Sequence, residues 1–113
     1  MTAVTGELAR QVPPLLMVVG PTASGKSRLG LELAEAVGGE IVSADAFAVY
    51  RGLDIGTDKP DLAARRRVRH HLVDVLDPGE RFSAGAFAVA AEAAIADIRR
   101  RSRVPVVVGG THF

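Results

Sequence analysis

Eight consecutive residues near the start of the chain have the types and the spacing of a loop that binds phosphate groups. They fit the pattern G-x-x-x-x-G-K-[ST] and are, in order, Gly20, Pro21, Thr22, Ala23, Ser24, Gly25, Lys26 and Ser27. In such a loop, glycines allow main-chain N–H groups to point at an anion, the lysine ammonium reaches phosphate oxygens, and the serine hydroxyl binds Mg²⁺. The stretch therefore predicts a site for a phosphate chain and magnesium, and it does not specify a nucleotide.

The segments on either side of this loop have the secondary structure that the motif requires. Leu15–Val19 is a short apolar run, which is typical of a buried strand. Lys26–Val37 carries Leu29, Leu33 and Val37 at intervals of four residues, which is typical of one face of a helix. A strand, a glycine loop and a helix in this order place the positive end of the helix dipole at the bound phosphate.

A carboxylate follows the next predicted strand. Gly38 and Gly39 indicate the end of the first helix, Glu40–Ala44 has strand character, and Asp45 comes next. A strand–helix–strand unit of this length implies a parallel crossover, and ligands bind at the carboxyl ends of parallel strands. We therefore expect Asp45 at the same edge of the sheet as the phosphate loop. There it can hold magnesium through water or accept a proton from a nucleophile.

The remaining chain continues the alternation of helices and strands. The pattern predicts a loop over Arg51–Pro60, one or two helical turns within Asp61–Val68, a strand over His71–Leu76, an alanine-rich helix from an N-cap at Ser83 to about Arg101, and a strand over Val104–Val108. Thr111 follows that last strand at the same edge, where it is either a phosphate-binding hydroxyl or an ordinary turn residue. The chain is therefore predicted to be an α/β domain with a parallel sheet.

Basic residues are concentrated in the predicted short helix, and two interpretations remain open. Arg65–Arg67 and Arg69 form either a solvated face, the commoner case, or a surface for nucleic acid. Arg99–Arg101 end the alanine-rich helix, where positive charge suits the negative pole of the helix dipole. His70 and His71 are expected to pack or to lie at the surface rather than to contact a nucleic acid.

Composition limits the kind of protein and its partners. The chain has 113 residues, enough for one domain, and its 14 basic and 13 acidic side chains leave it nearly neutral. It has no cysteine, which agrees with a reducing compartment, and no run that approaches the roughly 20 apolar residues of a membrane span. Residues 1–14 lack the features of a signal peptide and are expected to be a flexible tail before a core over residues 15–113.

Five stretches of the chain together resemble one known family. They are Gly20–Ser27 (GPTASGKS), Ser43–Tyr50 (SADAFAVY), Arg51–Pro60 (RGLDIGTDKP), His70–Asp77 (HHLVDVLD) and Val108–Thr111 (VGGT). Their order and spacing are similar to those of the tRNA dimethylallyltransferases, also called tRNA isopentenyltransferases. The resemblance runs from about Leu15 to the end of the chain. Because several motifs are linked, it is far more specific than the phosphate loop alone.

The resemblance implies an enzyme of tRNA modification with a P-loop NTPase-like, three-layer α/β fold, of which this chain is the N-terminal portion. Such an enzyme transfers a dimethylallyl group from dimethylallyl diphosphate to N6 of the adenine at position 37, just 3′ of the anticodon. The phosphate loop then holds the diphosphate of the donor rather than ATP, and Mg²⁺ is the expected cofactor. The expected partners are the donor and the anticodon loop of tRNA, and the expected form is a cytoplasmic monomer.

The resemblance also implies roles for individual residues. Asp45 matches the family's catalytic aspartate, which orients the adenine amine and accepts its proton, while Lys26 and Thr111 complete the catalytic set. Ser27 is the expected ligand of Mg²⁺. Contact with tRNA is expected from Asp45, Ala46, Phe47, Ala48 and Thr111. The family usually has glutamine where this chain has Ala48, and the loss of its hydrogen bonds to a base costs about 1–3 kcal/mol.

Three other functions remain open at this stage. An adenylate isopentenyltransferase would use the same chemistry on a free nucleotide. A small-molecule or nucleoside monophosphate kinase shares the phosphate loop and predicts phosphoryl transfer from ATP. A phosphate-binding module without catalysis predicts no turnover even when the donor and tRNA are supplied.

Overall fold

The structure is a computed structural model that describes residues 2–4, 15–20, 25–45, 48–52, 59–77, 79–81 and 83–109. Seven residues of the predicted site lie outside this part of the chain: Pro21, Thr22, Ala23, Ser24, Ala46, Phe47 and Thr111. Most of the predicted tail, at 5–14, and most of the predicted loop, at 53–58, also lie outside it.

Helices and strands alternate along most of the chain. The elements are β1 (Thr2–Val4), β2 (Leu16–Val19), α1 (Lys26–Val37), β3 (Glu40–Ala44), α2 (Leu62–Arg67), β4 (His70–His71), α3 (Ala84–Arg100) and β5 (Pro105–Gly109). Among these described helices, none combines the length and the apolar character needed to traverse a lipid bilayer.

The strands form one sheet in the order β1-β2-β5-β3-β4. The four strands from β2 to β4 are parallel, as the strand–helix–strand pattern predicts. Strand β1 pairs with β2 in the antiparallel direction, with Ala3 opposite Met17. Strand β1 is not predicted from the sequence, and it lies within the segment expected to be a tail.

One face of the sheet packs against α1. Its buried core consists of Leu16, Val18, Leu31, Ala34, Ile41, Val68, Val106 and Val108. The helix lies close to β5 because Gly30 has no side chain: a Cβ atom built there would be 2.4 Å from Cγ2 of Val108. This close approach places α1 against the carboxyl half of β5, where Val108 lies.

The buried stripe of α1 differs from the predicted one. Leu31 and Ala34 are buried, while Leu29 and Leu33 are only partly buried against the core and Val37 is 41% exposed. The helix approaches the sheet most closely at Gly30. Leu29 and Leu33 of the predicted stripe therefore lie at the edge of the contact between α1 and the sheet. The prediction of helix Lys26–Val37 is confirmed, and its predicted facing is wrong.

The opposite face of the sheet is covered in part by α3. This helix contacts β3 and β5, and its buried residues Phe87 and Ile98 do not belong to the α1 core. It begins at the predicted N-cap, where the hydroxyl of Ser83 accepts a hydrogen bond from the Ala86 N–H at 3.1 Å. With helices on both faces of the sheet, the arrangement has the three predicted layers.

The predicted strand His71–Leu76 is wrong beyond its first residue. Strand β4 contains only His70 and His71, and the chain then turns because Leu72 and Asp74 have φ angles of 66° and 55°. These left-handed conformations break the extended ladder. Leu76 instead forms an isolated parallel bridge with Tyr50.

Candidate functional site

The candidate site begins where three neighbouring strands end in line. Val19 of β2 and Ala44 of β3 are both aligned with Gly109 of β5, which lies between them. The residues that follow, Gly20 and Asp45, therefore lie at one edge of the sheet, as the sequence predicts. Two interstrand spacings of about 4.8 Å separate them by about 10 Å. This distance leaves room for a ligand above the end of β5.

The start of α1 supplies a positive end at this edge. Gly25 is the N-cap residue of α1, and its φ of 85° favours glycine. Glycine has no side chain, so no side-chain hydrogen bond caps the start of the helix. The first turn of α1 contains no acidic residue, so no carboxylate of that turn offsets the positive pole of the helix dipole. Lys26 and Ser27 are the first two residues of the helix. This geometry suits an anion that accepts hydrogen bonds from main-chain N–H groups.

A cavity of about 350 Å³ adjoins the start of α1. Its walls come from α1, α2, β3 and β5, and both Lys26 and Ser27 line it together with Asp45. Along β3 the lining residues are Ile41, Ser43 and Asp45, because alternate residues of a strand point to the same face. The predicted phosphate loop end and the predicted catalytic carboxylate thus open into one space.

The cavity is polar at the carboxyl edge of the sheet, and at its other end apolar side chains are mixed with Arg67 and His70. Asp45 and Lys26 mark the carboxyl edge of the sheet, and Lys59, whose ammonium is paired with Asp74, also lines the cavity. Ile41 lies four residues before Asp45, about 13 Å along the strand, and Leu31 of α1 lies beside it in the lining. The cavity therefore suits a ligand with an anionic head and a small apolar group.

The side chain of Asp45 also shapes the chain that follows it. Its Oδ1 accepts a hydrogen bond from the Ala48 N–H at 3.4 Å. Ala48 is only 1% exposed and does not line the cavity, and its carbonyl accepts a hydrogen bond from the Asp74 N–H at 3.0 Å. The structure therefore brings Asp45 to the cavity and packs Ala48 beneath it.

A second charged cluster lies beside the cavity and is not predicted from the sequence. The ammonium of Lys59 lies 2.6 Å from Oδ1 of Asp74, and Nη1 of Arg65 lies 2.8 Å from Oδ2. Desolvation raises the pKa of Asp74, but the hydrogen bonds from Lys59 and Arg65 outweigh it and hold that pKa below its ordinary value. Lys59 belongs to the stretch RGLDIGTDKP, which was the only sequence signal for it.

The arginines of α2 are partly used inside the fold. Arg65 pairs with Asp74 and Arg67 forms an ion pair with Glu35 of α1, so these two are neither simply solvated nor simply available to a nucleic acid. Arg66 and Arg69 are both exposed.

The two histidines each make a hydrogen-bonding contact within the fold. The Nδ1 of His70 lies 2.8 Å from the Val68 carbonyl, so this nitrogen carries the hydrogen. Desolvation lowers the pKa of His70, which lines the inner part of the cavity. His71 lies on the other face of the strand, with Nε2 2.7 Å from Oε1 of Glu40.

The donor atoms at the polar end of the cavity fit a magnesium ion that also binds phosphate. Within the described part of the chain, no group of three or more His, Cys, Asp or Glu residues could hold a metal ion. Magnesium commonly uses only one or two protein oxygens together with phosphate oxygens and water. The hydroxyl of Ser27 and the carboxylate of Asp45 provide such oxygens in the lining of one cavity.

Comparison with known sequences gives consistent relatives. Residues 48–113 match the sequence model of the IPP transferase family. The tRNA dimethylallyltransferase of Halorhodospira halophila is 62% identical over 98 residues, which are 87% of this chain and 32% of the relative. That of Methylococcus capsulatus is 58% identical over 103 residues, which are 91% of this chain and 33% of the relative. The chain therefore spans about one third of the length of the curated relatives it matches.

Solved structures agree with these sequences. A tRNA isopentenylpyrophosphate transferase from Staphylococcus epidermidis superposes with a TM-score of 0.80 at 46% identity, covering 84% of this chain and 31% of that one. A eukaryotic dimethylallyltransferase acting on tRNA superposes with a TM-score of 0.77 at 37% identity, covering 85% and 24%. The P-loop NTPase-like α/β fold predicted from the sequence is thus confirmed. Since the family's sequence model matches more than half of the chain, the chain belongs to the IPP transferase family.

Proposed function

We propose that this chain provides the donor site and the catalytic carboxylate of a tRNA dimethylallyltransferase. The reaction is transfer of a dimethylallyl group from dimethylallyl diphosphate to N6 of the adenine at position 37, just 3′ of the anticodon of tRNA. One observation carries the proposal: Lys26, Ser27 and Asp45 line the same cavity. The names of the relatives, which the chain matches over about a third of their length, support it.

The donor's diphosphate would bind at the start of α1. There the main-chain N–H groups and the helix dipole attract an anion, and the ammonium of Lys26 adds a charge-assisted hydrogen bond. Negative charge grows on the diphosphate as its bond to carbon breaks. Groups that already point at the site before the reaction stabilise that charge without further reorganisation.

The acceptor's amine would meet the carboxylate of Asp45. In the proposed step, adenine N6 forms a bond to C1 of the dimethylallyl group, the C1–O bond breaks, and diphosphate leaves with the bonding electrons. The proton of N6 passes to the carboxylate of Asp45, which acts as a general base. An adenine inside a stacked loop reaches such a site only after it leaves the stack.

The apolar part of the cavity would serve the five-carbon group. Leu31, Ile41 and Val108 form apolar walls there. Walls of this kind exclude water from the carbon that becomes electron-deficient, so that the amine rather than water is the nucleophile.

The proposal includes Mg²⁺, with Ser27 as its protein ligand, because the oxygen atoms at the polar end fit that ion. When bound, magnesium would neutralise charge on the diphosphate oxygens. We further propose that the protein is a cytoplasmic monomer. Its phosphate loop would bind the donor and not ATP.

The test uses a chimera, because the chain matches about one third of its relatives. This chain replaces the matching residues of the Halorhodospira halophila relative, and the product receives labelled dimethylallyl diphosphate, Mg²⁺ and unmodified tRNA. We expect label on N6 of adenine 37 and release of diphosphate. Loss of the general base in Asp45→Ala should lower the rate by about 10²–10⁴-fold. The matched control is Asp77→Ala, which removes an exposed carboxylate paired with Arg51 and should leave the rate unchanged.

Other results would overturn the proposal in favour of a specific alternative. Label on free adenosine monophosphate but not on tRNA would indicate an adenylate isopentenyltransferase. Phosphoryl transfer from ATP without labelled RNA would indicate a kinase. Binding of diphosphate with no turnover of any of these substrates would indicate a phosphate-binding module.

A further inference from the structure

Lys59 is a buried lysine whose ammonium is held by the segment that follows Asp45. Its side chain is only 7% exposed, and lysine is seldom buried to this extent unless it is paired. The Nζ donates to Oδ1 of Asp74 at 2.6 Å and to the main-chain carbonyl of Tyr50 at 2.8 Å. One ammonium therefore joins a side chain after β4 to the backbone five residues after Asp45.

The same two segments are joined by backbone hydrogen bonds. The Asp74 N–H donates to the carbonyl of Ala48 at 3.0 Å, and the Val75 N–H donates to that of Val49 at 2.8 Å. Ala48 and Val49 are each 1% exposed, so this contact is packed and closed to water. Ala48 in turn donates its N–H to Oδ1 of Asp45. A continuous set of contacts thus leads from Lys59 to the carboxylate of Asp45.

The conformation of Asp74 has a cost that the cluster offsets. Its φ of 55° lies in the left-handed region, which is uncommon for residues other than glycine, although aspartate adopts it more often than most. A residue of this kind persists when its surroundings hold it in place, and such residues are enriched at functional sites. Here the holding groups are Lys59 on one carboxylate oxygen and Arg65 on the other.

We propose that Lys59 and Asp74 are positioning residues of the prenyl transfer, which fix the turn at Ala48 and Val49 so that the Asp45 carboxylate stays directed into the cavity. The inference rests on the proposed function. It is specific to the acceptor half of the site, because the cluster contacts the segment after β3 and the donor's diphosphate is assigned to the start of α1. Lys59 also lines the cavity, so the cluster of Lys59, Asp74 and Arg65 adjoins the site that it is proposed to position.

The kinetic test uses Lys59→Met in the chimera described above, since methionine keeps the length of the side chain and removes its charge. We expect kcat to fall at least ten-fold while KM for dimethylallyl diphosphate stays within three-fold, because a small misplacement of a reacting group costs rate rather than donor affinity. Lys59→Arg should restore part of kcat, because it returns a donor to Asp74. The matched control is Arg51→Met, which removes an exposed ion pair beside the same turn and should leave kcat unchanged.

A second measurement does not depend on activity. In the 113-residue chain itself, Lys59→Met should speed amide hydrogen exchange of Ala48, Asp74 and Val75 at least ten-fold. The Ile41 amide, which donates to the Arg69 carbonyl elsewhere in the sheet, should exchange at its original rate. This pattern separates a local loss of positioning from general unfolding, which would speed all four amides.

The outcomes are distinct for the two proposals. Unchanged exchange at Ala48, Asp74 and Val75 overturns the positioning role, whatever the activity. So does a chimera in which Lys59→Met leaves kcat as it was, or lowers kcat only together with donor affinity and general stability. An unsubstituted chimera that labels no tRNA overturns the proposed function instead, and the exchange rates then still decide whether Lys59 holds the turn.

Discussion

Glu40, the first residue of β3, and Arg101, the residue after α3, form an ion pair through two contacts, one of them 2.8 Å between Nη2 and Oε1. His71 adds a third contact to the same carboxylate. The side chain of Glu40 is 6% exposed, and the hydrogen bond from Arg101 is the main reason why its pKa is lowered to about 2. Because β3 runs from Glu40 toward Asp45, this cluster stabilises the amino edge of the sheet and leaves the carboxyl edge to the candidate site.

The first prediction concerns the free energy of unfolding as the pH falls. The folded pKa of Glu40 lies below its ordinary value of 4.5, so its contribution is complete above pH 4.5 and is lost between pH 4.5 and about pH 2. At about 1.4 kcal/mol for each pKa unit, the loss is about 3 kcal/mol. Urea unfolding across this range should therefore show a steeper decline for the unsubstituted chain than for Glu40→Gln, which has no carboxyl group to protonate.

The control for this prediction is Glu32→Gln. Glu32 pairs with Arg28 on the outside of α1, and its side chain is 58% exposed. Exposed pairs of this kind contribute little, so this variant should follow the unsubstituted chain at every pH. If Glu40→Gln declined just as steeply as the unsubstituted chain, Glu40 would not be the group responsible.

Local sequence signals were sufficient for the elements that build the site. The bounds of α1 and β3 agree with the predicted ones, because each has an apolar pattern with a clear stop at Gly38 or Asp45. The common edge of the phosphate loop and Asp45 followed from the rule that parallel strands end on the same side. These features depend on neighbours in the sequence or on general topology.

Contacts between distant residues could not be predicted. Lys59 and Asp74 are 15 residues apart and Glu40 and Arg101 are 61 apart, and no periodic pattern marks either pair. The run after His71 has strand character, yet the pairing of Asp74 with Lys59 accompanies a turn there instead. Tertiary contacts thus override the local preference in the segment after β4, which is hydrogen-bonded to Ala48 and Val49.

The second prediction concerns the packing of α1 on β5. Gly30→Ala places a Cβ atom 2.4 Å from Cγ2 of Val108, and a β-branched side chain in a strand has little freedom to move away. Overpacking of this kind costs about 1–3 kcal/mol, and better helix propensity offsets about 1 kcal/mol of that cost. The free energy of unfolding, measured with urea, should therefore fall by up to about 2 kcal/mol.

Gly85→Ala is the matched control for that change. Gly85 also lies in a helix, but the nearest atom to an added Cβ is the Ser83 hydroxyl at 4.0 Å. With no clash to offset it, the gain in helix propensity should leave the chain equally stable or more stable by up to about 1 kcal/mol. The same sign for both variants would contradict the assigned contact between Gly30 and Val108.

The third prediction concerns the binding of an anion by Lys26. Lys26 is a cation that is only 6% exposed at the start of α1, and methionine of similar length replaces its charge with an apolar end. Lys26→Met removes this charge at the position where the diphosphate is proposed to bind. Its affinity for inorganic diphosphate should fall at least ten-fold, since a hydrogen bond to a charged group contributes about 1.5–3 kcal/mol. Calorimetric titration in the presence of Mg²⁺ measures this affinity.

The control for Lys26→Met is Arg100→Met, which removes an exposed cation paired with Asp97 at the far end of α3 and should bind diphosphate as before. Equal losses of affinity in both variants would mean that net charge, rather than the position of Lys26 at the helix start, attracts the anion.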